Sequence, residues 1–337
     1  MKKIIRRVQP VLILAILFII SCVFAFSSLF LKHEQEQQTE KPVRIRVFED
    51  GRSLMYLPQY IAVRQGFFKQ ENLDVEITTV STRESLLYSL AEGRCDLAVT
   101  GLEYVICKRA EGKGDLTAFA ALACRDISFL ISREITDSFE WSSLKYKTVV
   151  TGFPGDRGTV LFKGALVKHG LVPNHQVTLY NNIPESFQTG AFESGTGDFA
   201  LVEEPEVSRI EVEEAGRIVA SLGEETGDIP AAVCLANKKY LKDNYNIMVR
   251  YVHALNNALL WMNQQSTSGI VNLAGQDYPD VDPGMLAKAI DRCRKLGAWP
   301  SKSAIDASDY NNLQDFLVEA REIPKEIPYK KAVMKVS

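Results

Sequence analysis

Eight charged side chains of this 337-residue chain fall where an apolar run gives way to a loop: Glu49, Asp50, Glu103, Glu203 and Glu204 with Arg52, Arg125 and Arg157. Five carboxylates stand against three guanidinium groups. A site for a bare anion does not crowd carboxylates around it, because like charges in a closed, low-dielectric cleft repel by several kcal/mol. The expected ligand therefore carries hydrogen-bond donors or positive charge. Hydroxyls at Ser53, Thr82, Thr100 and Thr159, backbone N–H groups at Gly101, Gly155 and Gly158, and the rings of Tyr56 and Tyr60 stand at the same kind of position. Each tyrosine could stack on a flat ligand or belong to the core. Arg125 and Arg157 could pair with an anionic group or be solvated, and Glu204, ahead of Pro205, is either a contact or part of a hinge. Catalytic chemistry finds no such footing. There is no G-x-S-x-G, H-E-x-x-H or Walker motif, and His33, His169, His175 and His253 stand beside no nucleophile motif. Five cysteines besides Cys22, with no C-x-x-C, argue against a zinc site or a full disulfide framework. No cofactor and no metal are expected, and the chain reads as a binder rather than an enzyme.

The elements that must position these groups show a repeat. Gly93-Arg94-Cys95-Asp96-Leu97-Ala98 and Gly195-Thr196-Gly197-Asp198-Phe199-Ala200 both fit G-x-x-D-[LF]-A. Glu84-Ser85-Leu86 is echoed by Glu185-Ser186-Phe187, and Gly66 by Gly170, at offsets of 102, 101 and 104 residues. Three matches in near register imply two lobes of similar β-α-β-α-β topology. Strands are expected at 43–47, 73–77, 97–99, 117–124, 127–131, 148–150, 199–202 and 229–235. A helix should start near Pro58 and stop at Gly66. Ser81-x-x-Glu84 reads as a capping box for another. The glycine-rich stretch Thr151–Thr159 should be a loop ahead of a helix at 160–169, either a plain turn or a donor of backbone N–H groups to a ligand. Two later helices, one with the apolar stripe Met248 to Met262 and one at Ser301–Glu322 with the stripe Tyr310 to Leu317, read as core.

The stretch P-Q-Y-I-A-V-R-Q-G-F-F-K-Q-E-N-L-D-V-E-I, from Pro58 to Ile77, resembles the opening of the solute-binding proteins for nitrate, sulfonates, taurine and thiamine-pyrimidine precursors. The G-x-x-D-[LF]-A pattern and the acidic-Pro element Glu204-Pro205 match the same family, and the resemblance covers roughly residues 43–265. It implies an α/β, bilobal periplasmic-binding-protein fold, two doubly wound lobes with a ligand cleft between them, serving an ABC importer. The solute-binding domain is expected at 43–325, with lobe 1 at about 42–125 and 231–325 and lobe 2 at about 126–230. Related folds include thiamine-pyrimidine synthases with an internal histidine and a cysteine-rich segment, and neither feature occurs in this chain. An aminopyrimidine ranks first as ligand, then taurine or another sulfonate, then nitrate or bicarbonate. A sensory or docking domain uncoupled from transport is the alternative.

Lys2, Lys3, Arg6 and Arg7 precede an uncharged stretch, Val11–Leu31, whose 21 residues as a helix would be about 30 Å long, a bilayer core's thickness. Residues 1–31 are thus a signal or anchor segment and 32–42 a polar tether, with the fold on the outer face of the membrane. Ile19-Ile20-Ser21-Cys22 looks like a lipobox, which makes Cys22 a lipidation candidate; an uncut anchor and cleavage near Ala25–Ser27 are the other outcomes. The formal net charge of −3 and the lack of a long basic run speak against a nucleic-acid partner. The expected partners are a small molecule and an ABC permease, and a monomer is expected.

Overall fold

A computed structural model describes residues 41–134 and 138–336. The segment 1–31, Cys22 and most of the tether lie outside the described residues. Among the described residues no helix is long and apolar enough to cross a membrane.

Two five-stranded mixed sheets form the two lobes. The first has β1 (Val43–Glu49), β2 (Leu73–Thr79), β3 (Leu97–Thr100), β4 (Leu116–Ala123) and β10 (Ala232–Asn237), in the order β2-β1-β3-β10-β4. The second has β5 (Ser128–Ser132), β6 (Thr148–Val150), β7 (Thr178–Tyr180), β8 (Phe199–Glu203) and β9 (Arg217–Ser221), in the order β7-β6-β8-β5-β9. The two orders correspond. In each, a first strand lies between its successors, and an antiparallel strand entered by a crossover from the other sheet comes next. The central strands explain the apolar runs, since β3 and the first four residues of β8 are buried throughout, as strands covered on both faces must be.

The repeated motif has a common physical basis. The Asp96 carboxylate accepts the Arg46 N–H in the middle of β1, while the Asp96 N–H donates to the Arg46 carbonyl, both at 2.8 Å. Asp198 makes the same two contacts with Thr148 at the head of β6, again at 2.8 Å. Each aspartate thus sets the register between two parallel strands. The glycines ahead of them, Gly93 and Gly195, have φ of 68° and 105°, where a Cβ would be strained.

The helices used below are α1 (Leu57–Arg64), α2 (Arg83–Ala91), α3 (Leu102–Ala110), α4 (Arg157–Lys168), α5 (Glu185–Glu193), α6 (Glu206–Val212), α7 (Tyr245–Gln264), α8 (Thr267–Ala274), α9 (Pro283–Leu296) and α10 (Ala307–Glu319). Three boundaries differ from the sequence expectation. Thr82, not Ser81, caps α2, its Oγ1 accepting the Ser85 N–H at 3.1 Å. Helix α4 starts at Arg157 rather than 160, because Asp156 is already extended and Gly158 tolerates the first turn; Arg157, Gly158 and Thr159 are therefore helical. Helix α10 begins at Ala307, not Ser301. The stripe of α7 is buried as expected, from Met248 to Met262. Helix α10 lies on α4 so closely that a Cβ at Gly164 would stand 2.9 Å from the Phe316 ring and carbonyl.

Candidate functional site

The carboxyl ends of β1, β2 and β3 meet those of β6 and β8 across a band of charge, the place where open α/β sheets hold ligands. On the first lobe, Asp50 follows β1 and accepts hydrogen bonds from the Tyr56 hydroxyl at 2.7 Å, the Thr100 hydroxyl, and Arg83 Nε at 3.1 Å. Glu103 sits in the first turn of α3, beyond β3. It is 1% exposed, yet neither carboxylate oxygen has a hydrogen-bond partner of good geometry among the described residues. Its nearest cation is Arg83, at 3.6 Å. Gly101 permits this pose, since a Cβ there would overlap the Glu103 carboxylate.

On the second lobe, Arg157 opens α4 and is buried. Its Nε donates to Asp126 at 2.7 Å and its Nη2 to Glu203 at the end of β8. Asp126 also accepts the Ser128 N–H at 2.7 Å. Within the band, Arg83 reaches across to the second lobe. Its Nη1 donates to the Gly155 carbonyl at 3.2 Å and stands 3.9 Å from Asp156. Around the contact, Asp50, Glu103, Asp126, Asp156 and Glu203 face Arg83 and Arg157, so acids outnumber bases. Burial pushes the Glu103 carboxyl above the ordinary carboxylate range, against the pull of Arg83 and Arg157. Burial raises Asp156 in the same way, against the same two arginines.

The structure thus brings together Tyr56, Thr100, Gly101, Glu103, Gly155, Arg157 and Glu203. Gly158 and Thr159 line the same turn, with Thr159 Oγ1 donating to the Gly152 carbonyl at 2.9 Å and Gly158 leaving room for Ser128 and Leu201. Thr82 is exposed at the rim, its hydroxyl engaged in capping. Ser53 caps the short turn Leu54–Tyr56, accepting the Met55 N–H at 3.2 Å. The tyrosine rings offer no open face. Tyr56 is buried, and Tyr60 is buried with its hydroxyl on Glu49 at 2.8 Å, the Arg52 guanidinium 5.6 Å over its ring and Tyr278 edge-on at 6.0 Å. Glu49 is enclosed by Gln59, Tyr60 and Thr79, and Arg52 reaches the Asp277 carbonyl at 2.9 Å, so this pair ties the loop after β1 to the turn after α8.

Two expected ligand groups are placed elsewhere. Arg125 binds Asp228 at 2.6 Å and the Leu296 carbonyl at 2.9 Å, joining the two crossover segments to the end of α9. Glu204 accepts the Ser208 N–H and hydroxyl at 3.0 Å and pairs with Arg292 of α9, and the Glu204–Pro205 bond is cis. Both belong to the joint between the lobes. Four residues of the band went unmarked in the sequence. Arg83 directly follows the cap of α2, and Asp126 directly follows Arg125, each one position past a residue that the strand-end rule selects. Asp156 and Phe153 lie inside the glycine-rich loop, where Phe153 is 45% exposed.

Comparison with known proteins agrees with this architecture. Residues 55–267 match the family model described as NMT1/THI5 like. A protein of Bacillus subtilis (strain 168) named as a candidate binding protein, YtlA, is 32% identical over 300 residues, which span 89% of this chain and 90% of that one. The 4-amino-5-hydroxymethyl-2-methylpyrimidine phosphate synthase of Candida albicans (strain WO-1) is 21% identical over 71% of this chain and 72% of its own. Among solved structures, the alkanesulfonate-binding protein SsuA of Xanthomonas axonopodis pv. citri, bound to MOPS, superposes with a TM-score of 0.70 at 18% identity, covering 88% of this chain and all of that one.

Proposed function

This chain belongs to the NMT1/THI5-like family, and on that premise we propose that it is the extracytoplasmic solute-binding component of an ABC importer, closing its lobes on a small molecule without transforming it. The observation that carries the ligand assignment is Glu103, a buried carboxylate without a hydrogen-bond partner at the meeting line of the lobes. A buried acceptor left unpaired is costly, and a ligand donor relieves it. With both guanidinium groups of the band already held by acids, the site favours a cationic or donor-rich solute over a bare anion. An aminopyrimidine fits, with its amino group toward Glu103 and its ring against exposed Phe153, which takes the stacking role that the buried tyrosines cannot. Taurine, through its ammonium, ranks second. Binding without turnover is the reading that fits His169 on Glu225 and His253 on Glu71, both outside the band.

The N-terminal segment would export the protein and hold it at the membrane beside its permease. Cells expressing the chain with and without Cys22→Ala, separated into soluble and membrane fractions, test this. Wholly cytosolic protein in both would end the idea, and release or loss of processing in the variant alone would favour lipidation. For the ligand, a thermal-shift screen over aminopyrimidines, taurine, alkanesulfonates, nitrate and riboflavin is decisive. A ligand at 100 times its dissociation constant stabilises by about 2.7 kcal/mol, and mass spectrometry should recover it unchanged. Steady conversion to a new product would overturn the reading.

A further inference from the structure

Arg83 occupies a position that a ligand would be expected to hold. Its guanidinium lies among Asp50 and Glu103 of one lobe and Asp156 and the Gly155 carbonyl of the other, with its side chain 18% exposed. Three carboxylates on two separate sheets converge on one planar cation. The fit is incomplete. Nε reaches Asp50 at 3.1 Å and Nη1 reaches Gly155 at 3.2 Å, but the groups facing Glu103 and Asp156 stop at 3.6 and 3.9 Å. Glu103 therefore keeps an ion-pair contact with Arg83 but no hydrogen bond of good geometry from it. Arg157, in contrast, makes its hydrogen bonds within its own lobe, to Asp126 and Glu203. Among the contacts described above, Arg83 makes the hydrogen bond that crosses the band from one lobe to the other.

We infer that Arg83 is a tethered stand-in for the ligand: its guanidinium latches the lobes across Gly155 and Asp156, and a compact organic cation, such as an ammonium or amidinium, displaces it by reaching Glu103 more closely. The inference rests on the proposed solute-binding role and deepens it. The guanidinium carbon already lies 5.9 Å from the Tyr104 ring, a contact that can hold the head group when the carboxylates release it. The latch also excludes bare anions. An anion entering the cleft meets Asp50, Glu103 and Asp156 with their shared cation already neutralised, whereas a cation replaces like with like. Selectivity then follows from how well the incoming cation satisfies Glu103, the buried acceptor that Arg83 does not hydrogen-bond.

Removing the latch and supplying its head group in solution tests this without knowledge of the natural solute. Small-angle scattering of the ligand-free Arg83→Ala protein should give a larger radius of gyration than the parent. Methylguanidinium chloride at about 10 mM should restore the compact value in the variant while leaving the parent unchanged. Asp156→Asn, which keeps the first lobe intact, should expand in the same direction and gain nothing from methylguanidinium. In calorimetric titrations, 4-amino-5-aminomethyl-2-methylpyrimidine should bind Arg83→Ala about tenfold more tightly than the parent. An unchanged radius in both variants, or a variant that loses affinity for the aminopyrimidine, overturns the latch. Expansion and rescue in the variant, with no aminopyrimidine bound by either protein, would uphold the latch and sink the aminopyrimidine assignment.

Discussion

Replacing Glu103 by glutamine separates binding from folding. The side chain keeps its shape and loses its charge. A ligand cation about 4 Å from the carboxylate gains roughly 4 kcal/mol at an effective dielectric constant of 20. Competition from Arg83 at 3.6 Å and the ligand's own desolvation return part of that. A net loss of about 2–3 kcal/mol remains, or about 30- to 150-fold in dissociation constant. Stability should move the other way. Burial holds the folded-state pKa of Glu103 above the unfolded value. Such a group contributes stability that is fully present below the unfolded carboxyl range and lost as pH rises through the folded pKa. Above that folded pKa the parent has lost the contribution, while glutamine does not titrate. The melting temperature of Glu103→Gln relative to the parent should therefore be higher at pH 7.5 than at pH 4. Calorimetric titration with 4-amino-5-aminomethyl-2-methylpyrimidine reads the first effect, and paired melts across pH read the second. An unchanged dissociation constant, or a variant that falls behind the parent as pH rises, would refute the reasoning.

Other substitutions probe the supports of the site. Gly101→Ala suits the backbone, at φ −73° and ψ 147°, but displaces the Glu103 carboxylate, so melting should change little while affinity for the same aminopyrimidine falls at least tenfold. Arg292→Met leaves Glu204 buried without its cation and should cost about 3–5 kcal/mol in urea unfolding, most of it recovered when Glu204→Leu is added. Gly164→Ala drives a methyl group against Phe316 and should destabilise by about 1–3 kcal/mol in the same assay, with ligand affinity per folded molecule unchanged.

The repeat was legible because each copy does the same work. An aspartate that must accept one backbone N–H and donate its own leaves little freedom of residue type or spacing, so Asp96 and Asp198 stand out. The strand cores were legible for a similar reason, since Leu97-Ala98-Val99 and Phe199-Ala200-Leu201-Val202 must be apolar on both faces. Helix starts were less so. Thr82 and Ser81 are equally good caps on paper, and the backbone decides between them. At α4, glycines at 152, 155 and 158 read as one loop, although Gly158 lies inside the helix to make room for Ser128 and Leu201. Helix α9 went unread although Asp282 ahead of Pro283 and Gly297 at φ 73° are ordinary start and stop signals, and with it went Arg292, the partner of Glu204. In the site, the strand-end rule found the right loops but could not say which acid turns inward. Asp50, Glu103 and Glu203 do, while Glu204 turns to the joint and Glu49 into the first lobe. Pairings across 33 and 72 residues, those of Arg83 with Asp50 and Gly155, have no local signature.

The most direct measurement is a calorimetric titration of the purified, ligand-free protein with 4-amino-5-aminomethyl-2-methylpyrimidine, taurine and nitrate in turn, at pH 5 and pH 7.5. The account predicts saturable one-to-one binding of the aminopyrimidine, weaker at pH 5, where proton uptake by Glu103 competes, with weaker binding of taurine and none of nitrate. Tight binding of nitrate or of a simple alkanesulfonate, with no heat from the aminopyrimidine at either pH, would contradict it.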